Sequence, residues 1–164
     1  MGITERKQRQ RDQLKNSILE TAQDIAVQDG WQAVSIRKIA DVIEYSAPVI
    51  YEHFENKEAI LFELMQRGFR KMTEMILTAK SEYSDSEEQV MAIAKAYMRF
   101  AFENRELYQV MFSIGGVCCN TASVEPESYS PMRNGGTIIN DTLRILLLKK
   151  GHTEEGMFNK FYTF

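Results

Sequence analysis

Between Ser35 and Phe54 two short apolar-faced segments are separated by too few residues for anything but a tight turn, and this spacing constrains the fold more than any other part of the chain. In the first segment, Ser35–Ile43, the side chains of Ile36, Ile39, Ala40 and Ile43 fall on one face of a helix, and Ser35 is a good N-cap. The connection is Glu44-Tyr45-Ser46. In the second segment, Ser46–Phe54, Ser46 can cap a short helix. Pro48 sits in its first turn, where a missing N–H costs little. Ile50 and Phe54 give that helix an inward face. Two short helices about a tight turn make a helix-turn-helix, in which the second helix enters the major groove of DNA.

The flanking sequence is also helical in period. Ile18, Ala22, Ile25 and Ala26 share one face, and Gly30 supplies a left-handed residue to close that helix. Asn56 caps a long helix with Glu58 in its first turn and Leu61, Leu64, Met65, Phe69, Met72 and Ile76 inward. Ser81–Ser86 reads as a loop. A further helix spans about Glu87 to Asn104, and Asn104 begins another that carries Leu107, Tyr108, Met111 and Phe112. Ser113–Gly136, with its glycines and prolines, reads as broken. Thr137–Lys150 is helical again, and Thr153 can cap one more helix. With no strand-like alternation, the expected class is all-α. The expected division is a helix-turn-helix domain with a basic N-terminal arm over residues 1–57, then a helical domain over 58–164.

Composition narrows the function. The chain is 44% apolar and 26% charged. No apolar run approaches the roughly 20 residues of a membrane span. The N-terminus lacks the apolar core of a signal peptide, so a cytoplasmic protein is expected. A formal net charge of −3 does not advertise nucleic-acid binding. Distribution matters more than the sum: Arg6, Lys7, Arg9, Arg11 and Lys15 stand against only Glu5 and Asp12 near the N-terminus. That run is either a solvated, frayed end or an arm that neutralises phosphates.

Little points to catalysis. Cys118 and Cys119 are neighbours, which rarely bridge each other, and two ligands do not make a zinc site. They read as ordinary thiols; a thiol reductase would need a base beside them, and none is evident. His53 is remote in sequence from the other histidine, His152, so a metal site is not expected. Ser35 and Ser46 precede helices and read as caps rather than nucleophiles. Gly115-Gly116 lacks the strand and Gly-Lys-Thr context of a phosphate loop. The chain is expected to be a non-enzyme without a cofactor.

On the second helix of the motif, Ala47, Pro48, Val49 and Tyr51 are candidates for the exposed side. Small apolar groups there can touch thymine methyls, and Tyr51 and His53 can bond phosphates. Arg37 and Lys38 open the preceding helix near the path of a DNA backbone. Lys57 opens the fourth helix, where free N–H groups also favour phosphate. With the cap residues Ser35 and Ser46 these form the candidate DNA-facing set. Farther on, Tyr97, Met98, Phe100, Tyr108, Met111 and Phe112 either line a pocket for an apolar effector or are plain core.

The stretch from about Ile18 to Leu64 resembles the DNA-binding domain of the tetracycline-repressor (TetR) family. The residues that carry the likeness are Ile18-Leu-Glu-Thr-Ala22, Gly30-Trp31, Ser35-Ile-Arg-Lys-Ile-Ala40, Ser46 with Ile50-Tyr51, and His53-Phe54-Glu-Asn-Lys57-Glu58. The resemblance implies a homodimer whose first three helices bind a palindromic operator in double-stranded DNA. The later helices would form a dimer interface and a pocket for an unidentified small-molecule effector, whose binding releases a repressor from its operator. It also implies phosphate contacts from Tyr51, His53 and Lys57, with Arg37 anchoring the neighbouring helix. Two departures stand out. The family usually has glycine where this chain has Glu44, so Glu44 is strained or the turn differs. Members also usually continue further, so a C-terminally truncated product is expected. The alternative is an interaction module of the same fold that has lost dimerisation or DNA binding.

Overall fold

A computed structural model of the chain describes residues 2–112 and 130–150. Cys118-Cys119, Gly115-Gly116, His152 and the segment beginning at Thr153 lie outside the described residues. The described elements are helical: α1 (Ile3–Asp29), a 3-10 turn (Trp31–Ala33), α2 (Ile36–Val42), α3 (Ala47–Tyr51), α4 (Lys57–Ser81), α5 (Ser86–Glu103), α6 (Arg105–Met111) and α7 (Ser130–Lys149). The all-α expectation holds. They form two compact units, residues 2–68 with 104–112 and residues 69–103 with 130–150. The boundary falls inside α4, and α6 belongs to the first unit, where it packs on α1 and meets α4 at Gly68.

The first unit is built on α1. Ile18, Leu19 and Ala22 on that helix are fully buried, together with Ile39 of α2, Ile50 of α3 and Ile60 of α4. Each such large aliphatic side chain contributes about 1.5–3 kcal/mol on burial. The first turns of α1 are exposed yet helical, so the basic run is a helical extension rather than a loose arm. Glu5 accepts from the Gly2 N–H at 3.1 Å, and Gln8 donates to Asp12 at 3.0 Å, which helps hold this end.

Gly30 ends α1 as expected, but in a different conformation. Its φ of 79° is positive while its ψ of 163° is extended. That region is essentially open only to glycine. It turns the chain into the 3-10 turn, where Trp31 is buried at 4% exposure. Gly68 serves a close approach instead. A Cβ placed there would meet Met111 Sδ and stand 2.8 Å from its Cγ, so α4 and α6 approach closely at this position and a side chain there makes Met111 shift.

In the second unit α5 packs against α7. Asp85 starts α5 by accepting from the N–H of Glu87 at 2.9 Å. It also pairs with Lys149 at 3.2 Å, and Lys150 pairs with Glu87, which ties the end of α7 to the start of α5. Helix α7 begins at Ser130, ahead of the expected Thr137. Pro131 is at its second position, where a proline lacks nothing the helix needs, so it opens the helix and does not interrupt it.

Candidate nucleic-acid interface

The motif forms with the expected inner face. Ser35 caps α2, its hydroxyl accepting from the Lys38 N–H at 3.2 Å. Helix α2 then closes with paired bonds from Glu44 N–H to Asp41 carbonyl and from Tyr45 N–H to Ala40 carbonyl. This is the Schellman arrangement, which wants a left-handed residue at the Glu44 position. Glu44 takes it, with φ 59°, and no other described non-glycine residue has positive φ. The turn is therefore kept and the glutamate carries the strain.

Helix α3 is shorter than the expected segment, Ala47–Tyr51, and its end is finished by His53 and Phe54 N–H groups that both bond the Ile50 carbonyl at 3.0 Å. Ser46 does not cap it through its side chain. Pro48 has no N–H to offer, and the Val49 N–H goes to the Ser46 main-chain carbonyl at 3.0 Å. The Ser46 hydroxyl is thus left at the surface. Ile50 and Phe54 are buried beneath. Ser46, Pro48 and Tyr51 are exposed, and Ala47 and Val49 are half-buried.

The cations around this face differ in their commitments. Arg37 is exposed. Lys38 is paired with the Asp29 carboxylate at 2.6 Å, a half-exposed pair of the kind that contributes about 0–1 kcal/mol. Lys57 Nζ donates to the Trp31 carbonyl at 2.9 Å. Behind α3, Lys15 bonds Glu63 at 2.9 Å and lies 5.8 Å from the centre of the Phe54 ring. Asn56 caps α4, accepting from the Ala59 N–H at 2.8 Å.

A concavity of about 670 Å³ lies between the exposed half of α1 and the motif, lined by Gln10, Arg11, Gln13, Leu14, Ser17, Tyr45, Glu52 and His53. Its donors outnumber its single carboxylate. Arg11 reaches across to the Glu52 carbonyl at 3.4 Å. The His53 imidazole is held below its ordinary value of 6.5, first by burial and then by the Arg11 cation, with Lys15 adding and Glu52 opposing. It is therefore neutral at pH 7 and can donate one N–H. In the sequence, only the polar, basic character of the first α1 turns hints at this surface.

Trp31 is likewise not singled out by spacing, and enters the sequence reading only through the family likeness. Its indole Nε1–H donates to the Glu106 carbonyl of α6 at 3.2 Å. Its own carbonyl accepts from both Val34 N–H and Lys57 Nζ.

The six aromatic and methionine candidates do not gather in one place. Tyr97 and Met98 line an apolar groove of about 340 Å³ between α5 and α7, with Val90, Ile93, Ala94, Ile139 and Leu143. Phe100 is fully buried. Tyr108, Met111 and Phe112 are in the first unit, where the Tyr108 and Phe112 rings meet in a tilted contact, their centres 4.7 Å apart, and Met111 is buried. The division arises because the helix breaks at Asn104 and α6 packs on α1 and Gly68. Among the described residues no group of three His, Cys, Asp or Glu is placed to hold a metal ion, and no helix is long and apolar enough to cross a membrane.

A helix-turn-helix on an all-helical scaffold, with its second helix turned outward, defines a class of DNA-binding fold. Residues 18–64 match the model of the family described as bacterial regulatory proteins, tetR family, so it is the helix-turn-helix part of the chain that is similar to that family. The chain is 26% identical over 102 residues to the HTH-type transcriptional activator FasR of Mycolicibacterium smegmatis, covering 62% of this chain and 47% of that protein. It is 29% identical over 92 residues to the uncharacterized HTH-type transcriptional regulator YobS of Bacillus subtilis, covering 56% and 48%. The chain thus spans about half the length of the curated relatives it matches. Among solved structures it resembles the TetR family transcriptional regulator PfmR from Thermus thermophilus, with a TM-score of 0.64, 23% identity, and coverage of 84% and 74%. It also resembles the fatty acid degradation regulator FadR from Bacillus halodurans, with a TM-score of 0.66, 18% identity, and coverage of 86% and 72%. These likenesses show the fold.

Proposed function

We propose that this protein is a transcriptional regulator that binds double-stranded DNA through α3, acts in the cytoplasm as a homodimer on a palindromic operator, and is a repressor released by a small-molecule effector. The observation that carries the DNA-binding part is the exposed row Ser46, Pro48 and Tyr51 above a buried Ile50 and Phe54. A groove-entering helix needs that division. Ala47, Pro48 and Val49 supply contact to base edges, Ser46 and Tyr51 supply hydroxyls, and Ser35, Arg37, Lys38, His53 and Lys57 supply contacts to phosphate. The donor-lined concavity beside Arg11 extends the same surface and suits the sugar–phosphate backbone.

One short reading helix on a mildly acidic chain binds weakly, so useful affinity requires two copies. Exposed apolar side chains in the second unit, Phe102 at 78% exposure among them, support association through that region. The apolar groove around Tyr97 and Met98 supports an apolar effector, because it offers such a ligand contact area and almost no polar group to satisfy. A relative named as an activator makes the sign of regulation a question for measurement.

Gel shift on fragments upstream of neighbouring genes, with a reporter fused to any fragment bound, tests this reading. Retarded fragments with dyad symmetry and a reporter that falls when the protein is expressed are expected. A folded protein that retards no fragment at low salt would remove it.

A further inference from the structure

We propose that Trp31 couples α6 to the Lys57 ammonium, so that the position of α6 and the engagement of DNA by Lys57 depend on one another. The proposal rests on the DNA-binding reading and adds its regulation.

Two bonds made by one residue support it. The indole N–H of Trp31 holds the Glu106 carbonyl at 3.2 Å, and the Trp31 carbonyl holds Lys57 Nζ at 2.9 Å. Trp31 is 4% exposed and both bonds are partly buried, so the tryptophan itself has little freedom to move while the bonds are made. Side chain and carbonyl belong to one residue of a short 3-10 turn, and the Val34 N–H, which bonds the same carbonyl at 3.3 Å, fixes that carbonyl's direction. A shift of α6 therefore shifts the indole and redirects the acceptor that aims Lys57. Lys57 opens α4, where its charge and the free N–H groups of the helix both favour a phosphate. Its ammonium has three donors, and the Trp31 carbonyl takes one. α6 follows α5 directly through Asn104, so movement in the later helices has a covalent route to this point.

Binding coupling is reciprocal. If α6 biases Lys57, then DNA held by Lys57 must alter Trp31 and α6. The chain provides its own probe, because Trp31 is its single tryptophan.

The experiment titrates the full chain with a fluorescently labelled random-sequence duplex at low salt. Label anisotropy reports binding, indole emission reports Trp31, and amide exchange over residues 105–111 reports α6. In the wild type, emission and α6 exchange should change in step with anisotropy. Lys57→Met should still bind at higher duplex concentration, with the DNA-induced emission shift lost, and Lys57→Arg should restore it. Trp31→Phe should bind duplex with the DNA-induced change in α6 exchange lost. A role for Trp31 in packing alone predicts faster exchange in Trp31→Phe, equal with and without DNA, and an intact difference in the wild type and Lys57→Met. That result overturns the coupling, as does a wild type whose emission is constant through saturation. A wild type that binds no duplex removes the DNA-binding reading itself, which anisotropy alone reports.

Discussion

The main-chain N–H of Tyr45 bonds the carbonyl of Ala40 at 3.0 Å, and the residue between that bond and the end of α2, Glu44, is thereby held at φ 59°. A non-glycine residue in the left-handed region costs roughly 1–2 kcal/mol. Replacing it by glycine recovers that cost but loosens the unfolded chain by up to about 1 kcal/mol. Glu44→Gly should therefore raise stability by about 0.5–1 kcal/mol, read as a higher urea midpoint. Glu44→Val, β-branched, should lower it. A midpoint that falls in Glu44→Gly would show that the turn is not left-handed.

Lys57 and Arg11 should behave as phosphate contacts. Each neutralised phosphate contributes a slope of about −0.9 in log affinity against log salt. Lys57→Ala and Arg11→Ala should each weaken binding alike on every duplex and flatten that slope by about one. Val49→Ala should instead change which sequence is preferred at nearly constant slope. Selection from random duplexes together with salt titration separates the two behaviours. If Arg11→Ala left the slope intact, the concavity beside α1 would not touch the DNA backbone.

Much of this is legible in the sequence, because helical period reports burial directly. Ile18, Ala22, Ile39, Ile50 and Phe54 fall inward on spacing and all are buried. The capping of α2 by Ser35 and of α4 by Asn56 follows from local chemistry alone. What sequence does not disclose depends on contacts distant along the chain. Ser46 resembles a cap until the Pro48 nitrogen and the Val49 N–H are accounted for. Lys38 and Lys57 look equally free in sequence, yet one is paired with Asp29 and the other with the Trp31 carbonyl. Tyr97 and Tyr108 fall on neighbouring apolar faces, but the break at Asn104 sends them to different units. The role of Glu44 is open in sequence between strain and a different turn, and its φ decides for strain.

Gly68 and Met111 should be energetically coupled. A side chain at Gly68 meets the buried Met111, with Cγ 2.8 Å from the new Cβ, and Leu107 Cβ only 3.6 Å away. Overpacking of this kind costs about 1–3 kcal/mol. Alanine there also improves helix propensity by about 1 kcal/mol, so Gly68→Ala should be nearly neutral. Gly68→Val should lose about 2 kcal/mol, within the range for overpacking. Combined with Met111→Ala, which opens space, the loss should be smaller than the sum of the two single losses. Urea unfolding of the four chains measures this, and strict additivity would show that α4 and α6 do not meet at that point.

His53 should make both stability and DNA binding depend on pH, in opposite directions. Burial and the Arg11 cation hold its imidazole below the ordinary 6.5, with Lys15 adding and Glu52 opposing. The unfolded chain thus takes up this proton more readily than the folded one. The resulting stability is fully present above pH 6.5 and is lost as pH falls from there toward the lowered folded value. DNA acts the other way. A phosphate beside the ring favours the imidazolium, so binding draws in a proton and affinity should rise as pH falls from about 7.5 to about 6. Urea midpoints and duplex titrations across that range measure the two effects, and His53→Gln should flatten both. Affinity that falls on acidification, at pH values where the fold is intact, would place His53 away from the backbone.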